Sequence, residues 1–160
     1  RQILAQDLLE RILKKDPGFF EALVIKLLVA MGYGGSLNEA AGMVVGKSGD
    51  EGIDGIIKED KLGLDNIYIQ AKRWNNVVER PEVQKFVGAL AGKGATKGIF
   101  ITTSSFSRGA REFKPQNNIK IVLIDGNQLC EYMIDYNIGV FTANTFEVKR
   151  IDIDFFESEE

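Results

Sequence analysis

The chain has 160 residues, a net charge of −3 and ordinary apolar and charged fractions, which fit one globular domain with a sizeable core. No apolar run is long enough to span a bilayer and no signal peptide opens the sequence, so the expected setting is the cytoplasm, with no membrane partner. There is no histidine and only one cysteine, Cys130, which excludes Cys/His zinc sites and internal disulfides. The acids crowd one end: without Asp152, Asp154, Glu157, Glu159 and Glu160 the remainder is slightly basic.

In chain order, residues 2–15 carry Ile3, Leu4, Leu8, Leu9, Ile12 and Leu13 at helical spacing, giving a short amphipathic helix stopped before Pro17. Residues 1–18 are read as this helix or linker, and 19–160 as the main domain. The strongest helix runs from Phe19 to Met31, with an apolar stripe of Phe20, Leu23, Val24, Leu27, Leu28 and Met31 and with Glu21 near its edge. Asn38 to Ala41 read as a turn, and Met43 to Val45 as the start of the sheet. Ile53–Ile57 and Ile67–Arg73 form two strands across a charged loop, most simply an antiparallel pair. Pro81 opens the next helix in a favoured first-turn position. Lys97–Thr103 reads as a central strand, followed by a helix capped by Ser104 or Ser105. Ile119–Ile124 is a buried strand, and Asp125 caps a last helix to about Met133. Residues 146–156 alternate Ile151, Ile153 and Phe155 with acids, the pattern of a late edge strand. The fold class is α/β, a mixed β-sheet of four to five strands flanked by helices.

The stretch Gly49–Trp74 carries the chemistry. Asp54 lies in a glycine-rich turn, and strand alternation puts Tyr68, Gln70 and Lys72 on one face. A hard divalent cation takes oxygen ligands and keeps several waters. Asp54 offers a carboxylate, Gln70 an amide oxygen and Ala71 a backbone carbonyl. Lys72 can orient a water and neutralise charge on a phosphorane-like transition state. Glu21 brings a second carboxylate if its helix packs over the strand pair. Each residue also has a plainer reading: a turn aspartate, a glutamine satisfied by backbone, a solvated lysine, a carboxylate in a helix's first turn. Trp74 and Tyr68 either stack on a base or wall the site. Among the basic and hydroxyl residues, Arg73, Lys97, Ser104, Ser105 and Arg108 are the candidates for phosphate contacts.

GIDG, IQAKRW, EVQKFVGAL, ATKGIFITTSSFSRGAREF and IVLIDGNQL occur in this order, and together they resemble the catalytic domain of Mrr-type restriction endonucleases, in the PD-(D/E)XK nuclease superfamily. The resemblance runs from about Phe20 to Met133. It implies a restriction-endonuclease-like fold and a Mg²⁺-dependent phosphodiesterase (Mn²⁺ as substitute) acting on double-stranded DNA with methylated bases. It maps the superfamily's aspartate onto Asp54, its lysine onto Lys72 and its helical acid onto Glu21. Gln70 stands where most of the superfamily has an acid, which is usual in the Mrr-like branch and removes one negative charge from the metal site. Glu51 departs from the family's common glycine. The resemblance also implies a separate DNA-recognition domain N-terminal to these residues and outside this sequence. A homodimer is a further expectation. The alternatives are a structure-selective nuclease of Holliday-junction-resolvase type and a nuclease-derived module that binds DNA without cutting.

Overall fold

The computed structural model describes residues 1–34 and 53–157. The readings of residues 38–41 and 43–45, and Glu51, lie outside them. The elements are α1 (Gln2–Leu13), α2 (Pro17–Ala30), β1 (Gly55–Lys58), β2 (Asn66–Lys72), α3 (Arg80–Gly92), β3 (Lys97–Thr102), α4 (Arg108–Glu112), β4 (Lys120–Ile124), α5 (Gly126–Asp135) and α6 (Ile153–Glu157).

Local signals explain most boundaries. Asp16 caps α2 by accepting from the Phe19 N–H at 2.7 Å, and Pro17 then opens that helix with a φ already suited to it. Asp125 caps α5 in a reciprocal capping box with Gln128. The third cap differs from expectation. Ser107, not Ser104 or Ser105, caps α4, because the backbone of residues 105–107 is held by Val78: its N–H donates to the Ser105 carbonyl and its carbonyl accepts from the Ser107 N–H. The helix therefore starts later and ends at Glu112.

The described sheet has four strands in the order β1-β2-β3-β4, with β1 antiparallel to β2 and the rest parallel. The crossovers through α3 and α4 cover one face, where Phe86, Phe100 and Phe106 meet edge to face at 5.6 and 5.4 Å. The other face is covered by α1, α2 and α5, with Phe20, Leu27, Leu28 and Ile69 at its centre and Leu8 and Ile12 of α1 in the same core. α1 is also tied to α5 by Arg1, which bonds Glu131 and Asp135. Cys130 of α5 is buried in this core.

Two glycines permit close approach. A Cβ on Gly98 would lie 2.8 Å from Phe86 and Leu90, so its absence lets α3 lie flat on β3. A Cβ on Gly126 would lie 2.2 Å from the Thr103 carbonyl oxygen, so α5 begins directly against the end of β3.

Two expectations are corrected. β4 is a half-exposed strand rather than a buried one, with Val122 55% exposed. Residues 146–156 form no strand. They are exposed throughout, and Ile153–Glu157 closes into the short helix α6. Alternation makes a strand only where a sheet edge accepts it, and none does so here.

Candidate active site

The site follows from strand direction. Because β1 runs antiparallel to β2, its first residues sit beside the last residues of β2. Gly55 is opposite Ile69, so Asp54, one residue earlier, falls opposite Gln70. The Asp54 N–H donates to the Ile69 carbonyl at 2.7 Å, and Asp54 Oδ2 accepts from the Ala71 N–H at 2.7 Å. Half-buried Asp54 has its pKa raised by burial, while the Ala71 N–H and the nearby Lys72 charge pull it back down.

Gln70 is 3% exposed, on the sheet face shared with Phe100, its β3 neighbour. Among the described residues its Oε1 is buried with no hydrogen-bond partner. A buried, unmatched amide oxygen costs about 1–3 kcal/mol, so it needs a reason.

Lys72 ends β2 with its ammonium 5.1 Å from the Trp74 ring centroid. Its backbone is pinned from β3. Thr102 Oγ1 donates to the Lys72 carbonyl at 2.8 Å, the Thr103 N–H donates to the same oxygen at 3.2 Å, and Thr103 Oγ1 donates to the Trp74 carbonyl at 2.8 Å. Both threonines are buried. Sequence reading took them only as β-branched strand residues. Their signal was two hydroxyls at the very end of an apolar strand, where a hydroxyl needs a partner.

Ser104, Ser105 and Arg108 follow β3 at this same end of the sheet. Ser104 Oγ contacts the Asn75 carbonyl at 3.4 Å, Ser105 is exposed, and exposed Arg108 pairs with Glu112. Glu21 is half-buried on α2, which packs on the β1–β2 pair.

Two of the expected phosphate contacts stand elsewhere. Lys97 begins β3 while Thr102, beside Lys72, ends it, so five residues at ~3.3 Å each put them roughly 16 Å apart. Lys97 is paired there with Glu59 at 2.6 Å and Asp65 at 3.0 Å. Arg73 turns toward α1, where its Nη1 donates to the Leu13 carbonyl at 3.1 Å. Alternation sends it away from its neighbour Lys72.

A hard cation fits this donor set. A half-buried carboxylate (Asp54) and a buried amide oxygen (Gln70) stand at opposed register positions, and both are oxygens of the kind Mg²⁺ takes. Among the described residues, no three acidic, cysteine or histidine side chains cluster as a metal site.

The sheet topology and the site at its carboxyl end define the class. The modification-dependent DNA restriction endonuclease AspBHI superposes with a TM-score of 0.62 at 20% identity, covering 87% of this chain and 35% of that one. The MspJI restriction endonuclease, solved in complex with a 27-mer oligonucleotide, gives 0.61 at 26% identity, covering 84% and 32%. The fold is that of a restriction endonuclease. Residues 12–133 match the restriction endonuclease family of Mrr catalytic domains, and the chain belongs to that family. It is 46% identical over 157 residues to the type IV methyl-directed restriction enzyme EcoKMrr of Escherichia coli (strain K12). That match covers 98% of this chain and 50% of the relative, so the chain spans about half the relative's length.

Proposed function

We propose that this chain is the cutting module of a cytoplasmic Mrr-type restriction enzyme and hydrolyses phosphodiester bonds in methylated double-stranded DNA with Mg²⁺. The observation that carries the reading is the buried Gln70 Oε1, unmatched among the described residues, at the position opposite Asp54 in the strand register. In a fold of this family, a bound cation is the partner that would repay its desolvation. The methyl-directed relative supports modified DNA as the substrate.

Asp54 and Gln70 would hold the cation, with the Ala71 N–H fixing one Asp54 oxygen so that the other is aimed. The Ala71 carbonyl and Glu21 are further ligand candidates. When bound, the cation supplies Lewis acidity at the phosphate and a water of lowered pKa. Water attacks phosphorus in line, the bond to the leaving oxygen breaks, and charge grows on the non-bridging oxygens. Lys72 would neutralise that charge and orient the water; its ammonium lies 5.1 Å from the Trp74 ring centroid, and Thr102 Oγ1 donates to its backbone carbonyl. Ser104, Ser105 and Arg108 would position flanking phosphates without reading sequence. A homodimer would give one site per strand, and a DNA-recognition domain N-terminal to this module would supply base choice.

The test incubates methylated and unmethylated supercoiled plasmid with the purified chain in Mg²⁺, Mn²⁺ or EDTA. Nicked or linear product in metal and none in EDTA is expected. Cutting in EDTA overturns the metal assignment. Branched DNA cut far better than linear methylated duplex would make the chain a structure-selective nuclease. DNA bound in EDTA but never nicked in either metal would make it a non-cutting module.

A further inference from the structure

The described residues contain a feature the nuclease reading does not use. After α5 the backbone turns at Asn137 (φ 55°) and Gly139 (φ 73°), with Ile138 and Val140 still packed on the core. From residue 141 to 157 every residue is exposed. That arm is not polar. Phe141, Phe146, Val148, Ile151, Phe155 and Phe156 are 70–89% exposed. A contiguous apolar segment left in water marks an interaction site.

The body offers a matching receptor. Leu8, Ile12, Phe19, Leu23 and Met133 wall an apolar groove of about 180 Å³ between α1, α2 and α5. It is smaller than a typical cofactor pocket. Its size suits one aromatic ring, since an apolar cavity of about 150 Å³ takes up benzene. Arg11 and Lys15 stand at its rim, with Lys15 Nζ 5.5 Å from the Phe19 ring centroid. Lys14 extends the basic edge, beside Glu10 and Asp7, the latter already paired to Arg11. The arm's end is opposite in sign. Asp152, Asp154 and Glu157 flank Phe155 and Phe156, and the sequence continues Ser158-Glu159-Glu160.

We infer that the C-terminal arm docks in trans. Phe155 or Phe156 of one copy enters the α1–α2–α5 groove of a second copy, and the flanking acids meet Lys14 and Lys15. Gly139 is on the groove's edge, and residues 141–157 beyond it are exposed. Phe155 lies sixteen residues beyond Gly139, a reach of up to ~53 Å when extended, against a radius of gyration of ~14 Å for a body of this size. Reciprocal exchange of two such arms closes a twofold dimer. Each groove seats one ring, burying ~150 Å² or more, and the acids beside that ring face Lys14 and Lys15. This inference stands on the exposed arm and the groove, independently of the nuclease reading.

Sedimentation equilibrium of the purified chain from about 1 to 100 µM tests it. A concentration-dependent dimer is expected. Phe155→Asp with Phe156→Asp should give monomer with unchanged circular dichroism and melting temperature, since both side chains are exposed. Lys15→Glu should weaken the dimer, and mixing it with an Asp154→Lys chain should restore association. In a Cys130→Ser background, Lys15→Cys and Asp154→Cys chains mixed together should form a disulfide-linked heterodimer under mild oxidation. A monomer at every concentration, a dimer indifferent to the paired phenylalanine change, or an intramolecular cross-link when both cysteines are in one chain would each overturn the proposal. The last would place the arm in its own groove.

Discussion

The two ends of the sheet use the same residue types to different ends. At one, Lys97 meets Glu59 and Asp65 at 2.6 and 3.0 Å, and the acids hold its pKa above the ordinary lysine range. At the other, among the described residues, Lys72 is held by its backbone and the Trp74 ring, near an acid raised by burial and an amide oxygen without a partner. The first end is complete as it stands. The second has unmet electrostatic demand, which is what a site for an external ligand requires. A lysine near a carboxylate is therefore not by itself informative. Whether the charges already neutralise one another is what separates a structural cluster from a reactive one.

The largest effect expected is at the unmatched end. Lys72→Ala should lower Mg²⁺-dependent cleavage by at least ~10²-fold with the fold intact, measured by plasmid nicking and circular dichroism. Near-native cleavage by that variant would remove the distinction between the two ends.

Gln70 separates stability from activity. Gln70→Leu should abolish cleavage and raise stability by up to ~1–3 kcal/mol in urea unfolding, because it removes a buried, unmatched oxygen. Gln70→Glu should bind Mn²⁺ more tightly by calorimetry, because it restores a negative charge. A less stable Gln70→Leu would mean the amide is satisfied after all.

Thr102→Val should cost ~1–3 kcal/mol, since it leaves the Ser104 N–H without the hydroxyl it donates to and takes a donor from the Lys72 carbonyl. Cleavage should fall with kcat more affected than KM, because Lys72 is displaced rather than lost.

Asp54 carries the pH dependence. Its folded pKa lies above its unfolded one, so its contribution favours folding at low pH and is lost as pH rises through the folded value. Asp54→Asn cannot ionise. It should melt at a higher temperature than the native chain at neutral pH, and the gap should close as pH falls below ~4. An equal gap at both pH values would contradict the burial argument.

The smallest effect is expected at the complete end. Lys97→Ala should lower the melting temperature slightly and leave cleavage unchanged, since exposed ion pairs contribute little. A large loss of cleavage would restore Lys97 as a phosphate contact.

Much of this contrast was legible in the chain. The acid in a glycine-rich turn, the alternation of Gln70 and Lys72, and the helices opened by Pro81 and Asp125 are local signals, and local signals survive folding; Pro17, read only as the stop of α1, also opens α2. What failed was non-local. Arg73 and Lys97 looked like neighbours of the site in sequence, yet one residue of alternation and one strand length carry them away. Residues 146–156 had a strand's pattern but found no edge. Thr102 and Thr103 could be read as core until the carbonyls of Lys72 and Trp74 were placed against them. The amide of Gln70 was recognisable as a donor of oxygen, but that its oxygen would be left unmatched depended on everything packed around it.

Cys130 offers a practical consequence. Its thiol is buried against α1 and α2, with its pKa pushed up to about 11 by that burial. At neutral pH it is a thiol shielded from solvent, and thiolate reagents have almost nothing to attack. The chain therefore carries a native clock for its own opening. The rate at which Cys130 becomes alkylated reports how often α1 and α5 part, with no engineered probe and no competing cysteine to subtract.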